Sequence, residues 1–79
     1  MPAAIEVILY TRAGCHLCDD AKKVLRDEGV TFREVDIDGD PEALRLYNDE
    51  VPVVFIAGRK AFKYHVDPQE LRRKLTARS

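Results

Sequence analysis

Residues 5–18 read I-E-V-I-L-Y-T-R-A-G-C-H-L-C, and this stretch decides the fold. Ile5–Tyr10 is a short apolar run rich in β-branched residues, the composition of a buried strand. Thr11-Arg12-Ala13-Gly14 breaks the run. Beyond the break, Leu17, Ala21, Val24 and Leu25 recur at the i, i+4, i+7, i+8 spacing of an amphipathic helix. Asp19 and Asp20 fall in its early turns, where carboxylates suit the helix dipole, and Gly29 closes it. A strand that hands over to a helix opens an α/β chain, and both cysteines, Cys15 and Cys18, fall at the joint.

The rest of the chain continues the alternation. Val30–Ile37 reads as a second strand, and Asp40-Pro41 as the N-cap and first position of a helix running to about Asn48, with Leu44 and Tyr47 on one face. Val53–Ile56 and Lys60–Tyr64 read as a hairpin around Ala57-Gly58-Arg59. Asp67 caps the last helix, with Pro68 at its first position, Glu70 completing a capping box, and Val66 placed to staple onto Leu71. The order is β-α-β-α-β-β-α: a four-stranded mixed sheet flanked by three helices, with a right-handed parallel crossover between the first two strands. Seventy-nine residues without repeat, linker or low-complexity segment give one domain over 1–79.

Composition removes several classes. Val, Ile, Leu and Phe fill 22 positions and hydrophobic residues make up 46% of the chain, too many for a disordered tail. Thirteen basic against 14 acidic side chains give a net charge of −1, without the basic surplus of a nucleic-acid binder. The longest uncharged stretch, Val51–Gly58, is far short of the ~20 residues that cross a bilayer. Glu6 lies inside the N-terminal apolar run with no basic residue before it, which counts against a signal peptide. A cytoplasmic, monomeric globular domain is expected.

The two cysteines are spaced C-x-x-C. A disulfide closing so short a loop stabilises a fold by only ~2 kcal/mol in the loop-entropy treatment, so the pair is poorly placed as a staple and well placed as a reversible bridge. Zinc would need a second C-x-x-C or an H-x₃₋₅-H pair, and the only histidines are His16 and His65. At a helix N-terminus Cys15 meets unpaired backbone N–H groups that favour a thiolate, the form that attacks a disulfide. Cys18 lies one turn on, close enough to bridge it. Cys15 is therefore the expected nucleophile and Cys18 the buried resolving thiol. Gly14 keeps the approach clear of a side chain. His16, if protonated, would add to the stabilisation of the Cys15 thiolate; it could equally be a plain surface residue.

Tyr10-Thr11-Arg12-Ala13-Gly14-Cys15-His16-Leu17-Cys18, Val35-Asp36-Ile37-Asp38, Val51-Pro52-Val53-Val54-Phe55-Ile56 and the capped last helix together resemble the glutaredoxins, within the thioredoxin-like fold. More narrowly, T-R-x-x-C-x-L-C resembles a glutaredoxin-like family of small bacterial proteins. The resemblance covers essentially the whole chain. It implies thiol–disulfide exchange, with no tightly bound cofactor and glutathione as a possible co-substrate. It implies a cis Val51–Pro52 bond, a Val51 backbone that pairs with bound peptide, an Arg12 that binds glutathione and stabilises the thiolate, and an Asp67 that meets glutathione's amino end.

The sequence departs from the family pattern in three places. His16-Leu17 stands for Pro-Tyr, Glu50-Val51-Pro52 for Thr-Val-Pro, and His65-Val66 for the Gly-Gly that lets glutathione approach. The expected partners are disulfide-bearing proteins or small molecules, recycled by glutathione or by a thioredoxin reductase. The alternatives are a reductase-linked electron donor that ignores glutathione and, from another class, a small C-x-x-C metal carrier. Copper chaperones, however, run β-α-β-β-α-β with a Met where Ala13 stands. Asp36-Ile37-Asp38-Gly39-Asp40 resembles the start of a calcium loop but has Pro41 at its sixth position and Tyr47 at its twelfth. The basic stretch Arg72, Arg73, Lys74 and Arg78 reads as a helix end that complements the dipole. Phe32, Phe55 and Phe62 are expected on strands and in the core.

Overall fold

The computed structural model describes residues 5–76. β1 (Val7–Thr11), α1 (His16–Asp27), β2 (Arg33–Asp36), α2 (Pro41–Tyr47), β3 (Val53–Ile56), β4 (Arg59–Lys63) and α3 (Pro68–Thr76) follow in the expected order, with a 3₁₀ turn at Ile37–Gly39. The sheet order is β2-β1-β3-β4. β1 and β2 are parallel, with Tyr10 opposite Val35; β3 is antiparallel to β1, with Tyr10 opposite Val53; and β4 is antiparallel to β3. The Arg78 of the basic stretch lies outside the described residues.

The alternation of β1 sorts the core. Val7, Leu9 and Thr11 are buried and point to one face, where Ala21 and Leu25 of α1, Val54 and Ile56 of β3, and Val66 and Leu71 close a single cluster. The opposite face carries Tyr10 and Phe55, which meet Tyr47 of α2 with ring centroids 4.7 to 5.9 Å apart. Helices therefore cover both faces. Phe55 belongs to this aromatic side, while Phe62 packs half-buried on the main cluster. Phe32 packs there too, but it precedes β2 rather than lying on it.

The second strand is shorter than the Val30–Ile37 span expected from sequence, because both ends of that span have other work. Gly29, at φ 72°, closes α1: its N–H donates to Arg26 O and the Val30 N–H donates to Leu25 O. These two bonds form the Schellman arrangement, with Val30 packed on the cluster that holds Leu25. At the other end Asp36 Oδ1 accepts from the Asp38 N–H at 2.9 Å and starts the 3₁₀ turn, so fully buried Ile37 leaves the strand.

The acids of the calcium-like segment are each engaged within the fold. Asp36 caps the turn, Asp38 pairs with Arg12, and Asp40 Oδ1 accepts from the N–H groups of Glu42 and Ala43 at 3.1 and 3.2 Å. Asp40→Ala should cost ~1 kcal/mol, read as a lower urea midpoint with an unchanged slope. At α3, Asp67 Oδ2 accepts from the Glu70 N–H at 3.2 Å, but Glu70 turns its own carboxylate to Arg73, so the capping box is half made. Among the described residues no helix is long and apolar enough to cross a membrane.

Candidate active site

β1 ends at Thr11 and α1 begins at His16, so Cys15 is the N-cap of α1. Its Sγ accepts a hydrogen bond from the Cys18 N–H at 3.1 Å, the bond that a capping serine oxygen would make elsewhere. Both cysteines are free thiols: Cys15 is half-buried, whereas Cys18 is fully buried. A reachable sulfur and a sequestered one, a helical turn apart, form an asymmetric dithiol.

Cys18, not Leu17, faces the core. The apolar stripe of α1 runs Cys18, Ala21, Leu25, while Leu17 is 47% exposed. The sequence spacing admits either register. Cys18 is fully buried at the helix start, and Leu17 is left at the surface between the two cysteines. Gly14 has φ 76°, and a Cβ built there would meet nothing within 4 Å. Its backbone needs glycine, and the space in front of it is open.

Burial pushes the Cys18 thiol above its ordinary pKa, and the hydrogen bond with the Cys15 side chain pushes the same way. The Thr11 side chain and the Arg12 backbone N–H face the same sulfur and pull the pKa down. Thr11 is only 4% exposed, and its Oγ1 has no hydrogen-bond partner among the described residues. The sequence reading gave Thr11 no role. The signal in the sequence is the period-two spacing of Val7, Leu9 and Thr11, which puts Thr11 on the same buried face of β1.

Pro52 is buried, its peptide bond to Val51 is cis, and it leads directly into Val53, the partner of Tyr10. The loop of Val51 and Pro52 therefore sits at the end of β1 that leads to Cys15. No backbone hydrogen bond joins Val51 to another described residue.

Arg12 is drawn elsewhere than its motif position suggests. Its guanidinium donates to both Asp38 oxygens, at 3.2 and 2.8 Å, and to the Asn48 carbonyl and Oδ1, at 3.3 and 3.0 Å. This fork raises the Arg12 pKa and lowers that of Asp38, each chiefly through their shared hydrogen bonds. Arg12 thus ties β1 to the 3₁₀ turn and to the end of α2, partners 26 and 36 residues away that no local pattern reveals. The hydrogen bond the structure gives the Cys15 sulfur comes from the Cys18 backbone instead.

His16 is exposed, and its side chain makes no hydrogen bond or ion pair with another described residue. Asp67 is engaged as the α3 cap. Glu50 is paired with Lys60, which holds its carboxyl below the ordinary range. Before α3 the backbone is left-handed at Tyr64 (φ 73°). Among the described residues no three His, Cys, Asp or Glu side chains gather as a metal site.

A half-buried thiol over a buried one, at the first strand–helix joint and beside a cis-proline loop, on a β-α-β-α-β-β-α frame, defines the thioredoxin-like class. A family model described as "Glutaredoxin-like domain (DUF836)" matches residues 6–76, and the chain belongs to that family. It is 47% identical over 55 residues to a glutaredoxin of Pseudomonas aeruginosa, a match covering 63% of this chain and 66%, just under two thirds, of that one. The X-ray structure of a structural-genomics target protein from X. campestris superposes with a TM-score of 0.78 at 36% identity, covering 90% of this chain and 96% of the other. The glutaredoxin-like protein NrdH-redoxin of Escherichia coli shares the fold, with a TM-score of 0.70 at 24% identity over 86% of this chain and 92% of that one.

Proposed function

We propose that this chain catalyses dithiol–disulfide exchange, with Cys15 as nucleophile and Cys18 as resolving thiol. The observation that carries the reading is the asymmetry of the pair: Cys15 Sγ is reachable and held by the Cys18 N–H at 3.1 Å, while Cys18 is fully buried behind it. The Cys15 thiolate attacks one sulfur of a substrate disulfide, forms a mixed disulfide and expels the other sulfur as a thiolate. The Cys18 thiolate then attacks the Cys15 sulfur and expels the second substrate sulfur. Two electrons pass from the protein dithiol to the substrate, two protons end on the released thiols, and Cys15–Cys18 is left oxidised. An external dithiol, or a reductase carrying one, returns the two electrons. The reaction requires no metal or tightly bound cofactor, and it suits a monomer in the reducing cytoplasm.

The engagement of Arg12 with Asp38 and Asn48, and of Asp67 with the α3 cap, favours a reductase-linked dithiol over glutathione as the electron source. Both groups that would anchor an anionic tripeptide are already used inside the fold. The test is to mix the reduced chain with a protein disulfide and follow its mass and free thiols. Loss of two hydrogens and of both thiols, with one substrate disulfide opened per chain, is expected. Thiols that stay reduced, or that end as a stable disulfide between two copies, would refute the reading.

A further inference from the structure

Tyr64 is held in a backbone conformation its side chain disfavours. It follows β4 at φ 73°, and the His65 N–H donates across it to Lys63 O at 2.9 Å. This closes a three-residue turn of the positive-φ form, which is rare and strained for a bulky residue. Ala57 also has positive φ, but it precedes Gly58 in the β3–β4 turn, where hairpin geometry asks for it. No hairpin acts on Tyr64. The cis-proline loop fixes it: the Tyr64 N–H donates to Pro52 O at 2.9 Å and more weakly to Glu50 O at 3.4 Å. Lys63 Nζ stands 5.4 Å above its ring. An aromatic ring, 44% exposed, is thus anchored to the loop beside the dithiol against its own backbone preference.

Two further features of the same end of the molecule point to what the ring meets. Leu17, between the cysteines, is the second exposed apolar side chain there. Val51 leaves its backbone N–H and C=O without a partner among the described residues, an edge that an extended chain can pair with. Of the cations at this end, Arg12 is bound to Asp38 and Lys60 to Glu50, while Lys63 stands over the Tyr64 ring.

Resting on the exchange reading above, we propose that Tyr64 sets the substrate class of the dithiol. Its ring narrows the space beside Val51 that a glutathione-type disulfide requires. With Leu17 it offers an apolar contact to side chains flanking the disulfide of an extended polypeptide. Glycine at position 64 would relieve the strained φ, so Tyr64→Gly should fold and melt no lower than the native chain.

The experiment measures kcat/KM of the full chain on two substrates, insulin disulfides and the mixed disulfide of glutathione with mercaptoethanol. Tyr64→Gly should lower kcat/KM on insulin about tenfold, the size of losing one aromatic anchor, and raise it several-fold on the small disulfide. Tyr64→Phe should keep the native ratio within about twofold, since the ring and not the hydroxyl is invoked. An active native chain whose Tyr64→Gly variant moves both substrates by one common factor, or moves neither, overturns the role of Tyr64 and leaves exchange standing. A native chain that reduces neither substrate overturns the exchange reading and this proposal together.

Discussion

Cys15→Ser should abolish exchange on every substrate, by on the order of 10⁴-fold or more, because a serine hydroxyl at neutral pH is a far poorer nucleophile than a thiolate. Cys18→Ser should fail differently. The first attack needs only Cys15, so a protein disulfide is still opened, but the resulting mixed disulfide has no internal thiol to release it. Non-reducing gels should show a covalent one-to-one adduct with Cys18→Ser and none with Cys15→Ser. The half-buried position of Cys15 and the fully buried position of Cys18 dictate this order of events. An adduct formed by Cys15→Ser would mean that Cys18 can reach substrate, and the assignment of roles would be reversed. A glutathione adduct on Cys15 could be removed by a second glutathione without Cys18, so Cys18→Ser also reports on the electron source. Weak turnover of small glutathione disulfides is expected from it. Strong turnover that disappears on Arg12→Glu would show that Arg12 leaves Asp38 to hold glutathione.

The frame was legible because its signals are local and agree with one another. The β-branched run before Thr11, the Asp40-Pro41 helix start and the Val66–Leu71 staple each needed fewer than ten residues to read, and each stands where the sequence places it. The placement of Cys15 at the α1 start follows from the same logic, since the motif falls where the strand hands over to the helix. Boundaries were less legible where one residue could serve two elements. Val30 is a good strand former taken by the Schellman close of α1, and Ile37 is buried by a 3₁₀ turn rather than by the sheet. The site's surroundings were least legible. Arg12 finds Asp38 and Asn48 only once three elements meet, and Tyr64 takes a conformation for which only glycine would have been a sign.

Thr11 is the residue whose loss should reveal how the second half of the reaction runs. Cys18 attacks only as a thiolate, yet burial pushes its pKa up, so at neutral pH the resolving step draws on a small ionised fraction. Once Cys15 is locked in a mixed disulfide, its hydrogen bond and charge no longer act on Cys18, and burial remains the main opposition. The Thr11 hydroxyl and the Arg12 backbone N–H pull the pKa the other way. Valine matches threonine in shape and cannot donate. Thr11→Val should therefore raise the Cys18 pKa further and slow release of a trapped partner by about 10- to 100-fold at pH 7, the worth of one hydrogen bond to a charged group. The sign of the pH dependence follows. Release accelerates as pH rises through the Cys18 pKa, and a higher pKa moves that curve to higher pH. The deficit is then fullest below both pKa values and closes above them. Thr11→Ser, which restores a donor, should recover most of the rate. Stability of the reduced chain should move the opposite way, because Thr11 Oγ1 is buried there with no hydrogen-bond partner among the described residues and valine removes that cost, worth ~1 kcal/mol. A variant that melts higher and releases its partner more slowly, with a deficit that vanishes at alkaline pH, would identify the hydroxyl as a tuner of the resolving thiol. A release rate unchanged across pH, or a deficit that persists at high pH, would show that Thr11 serves packing alone.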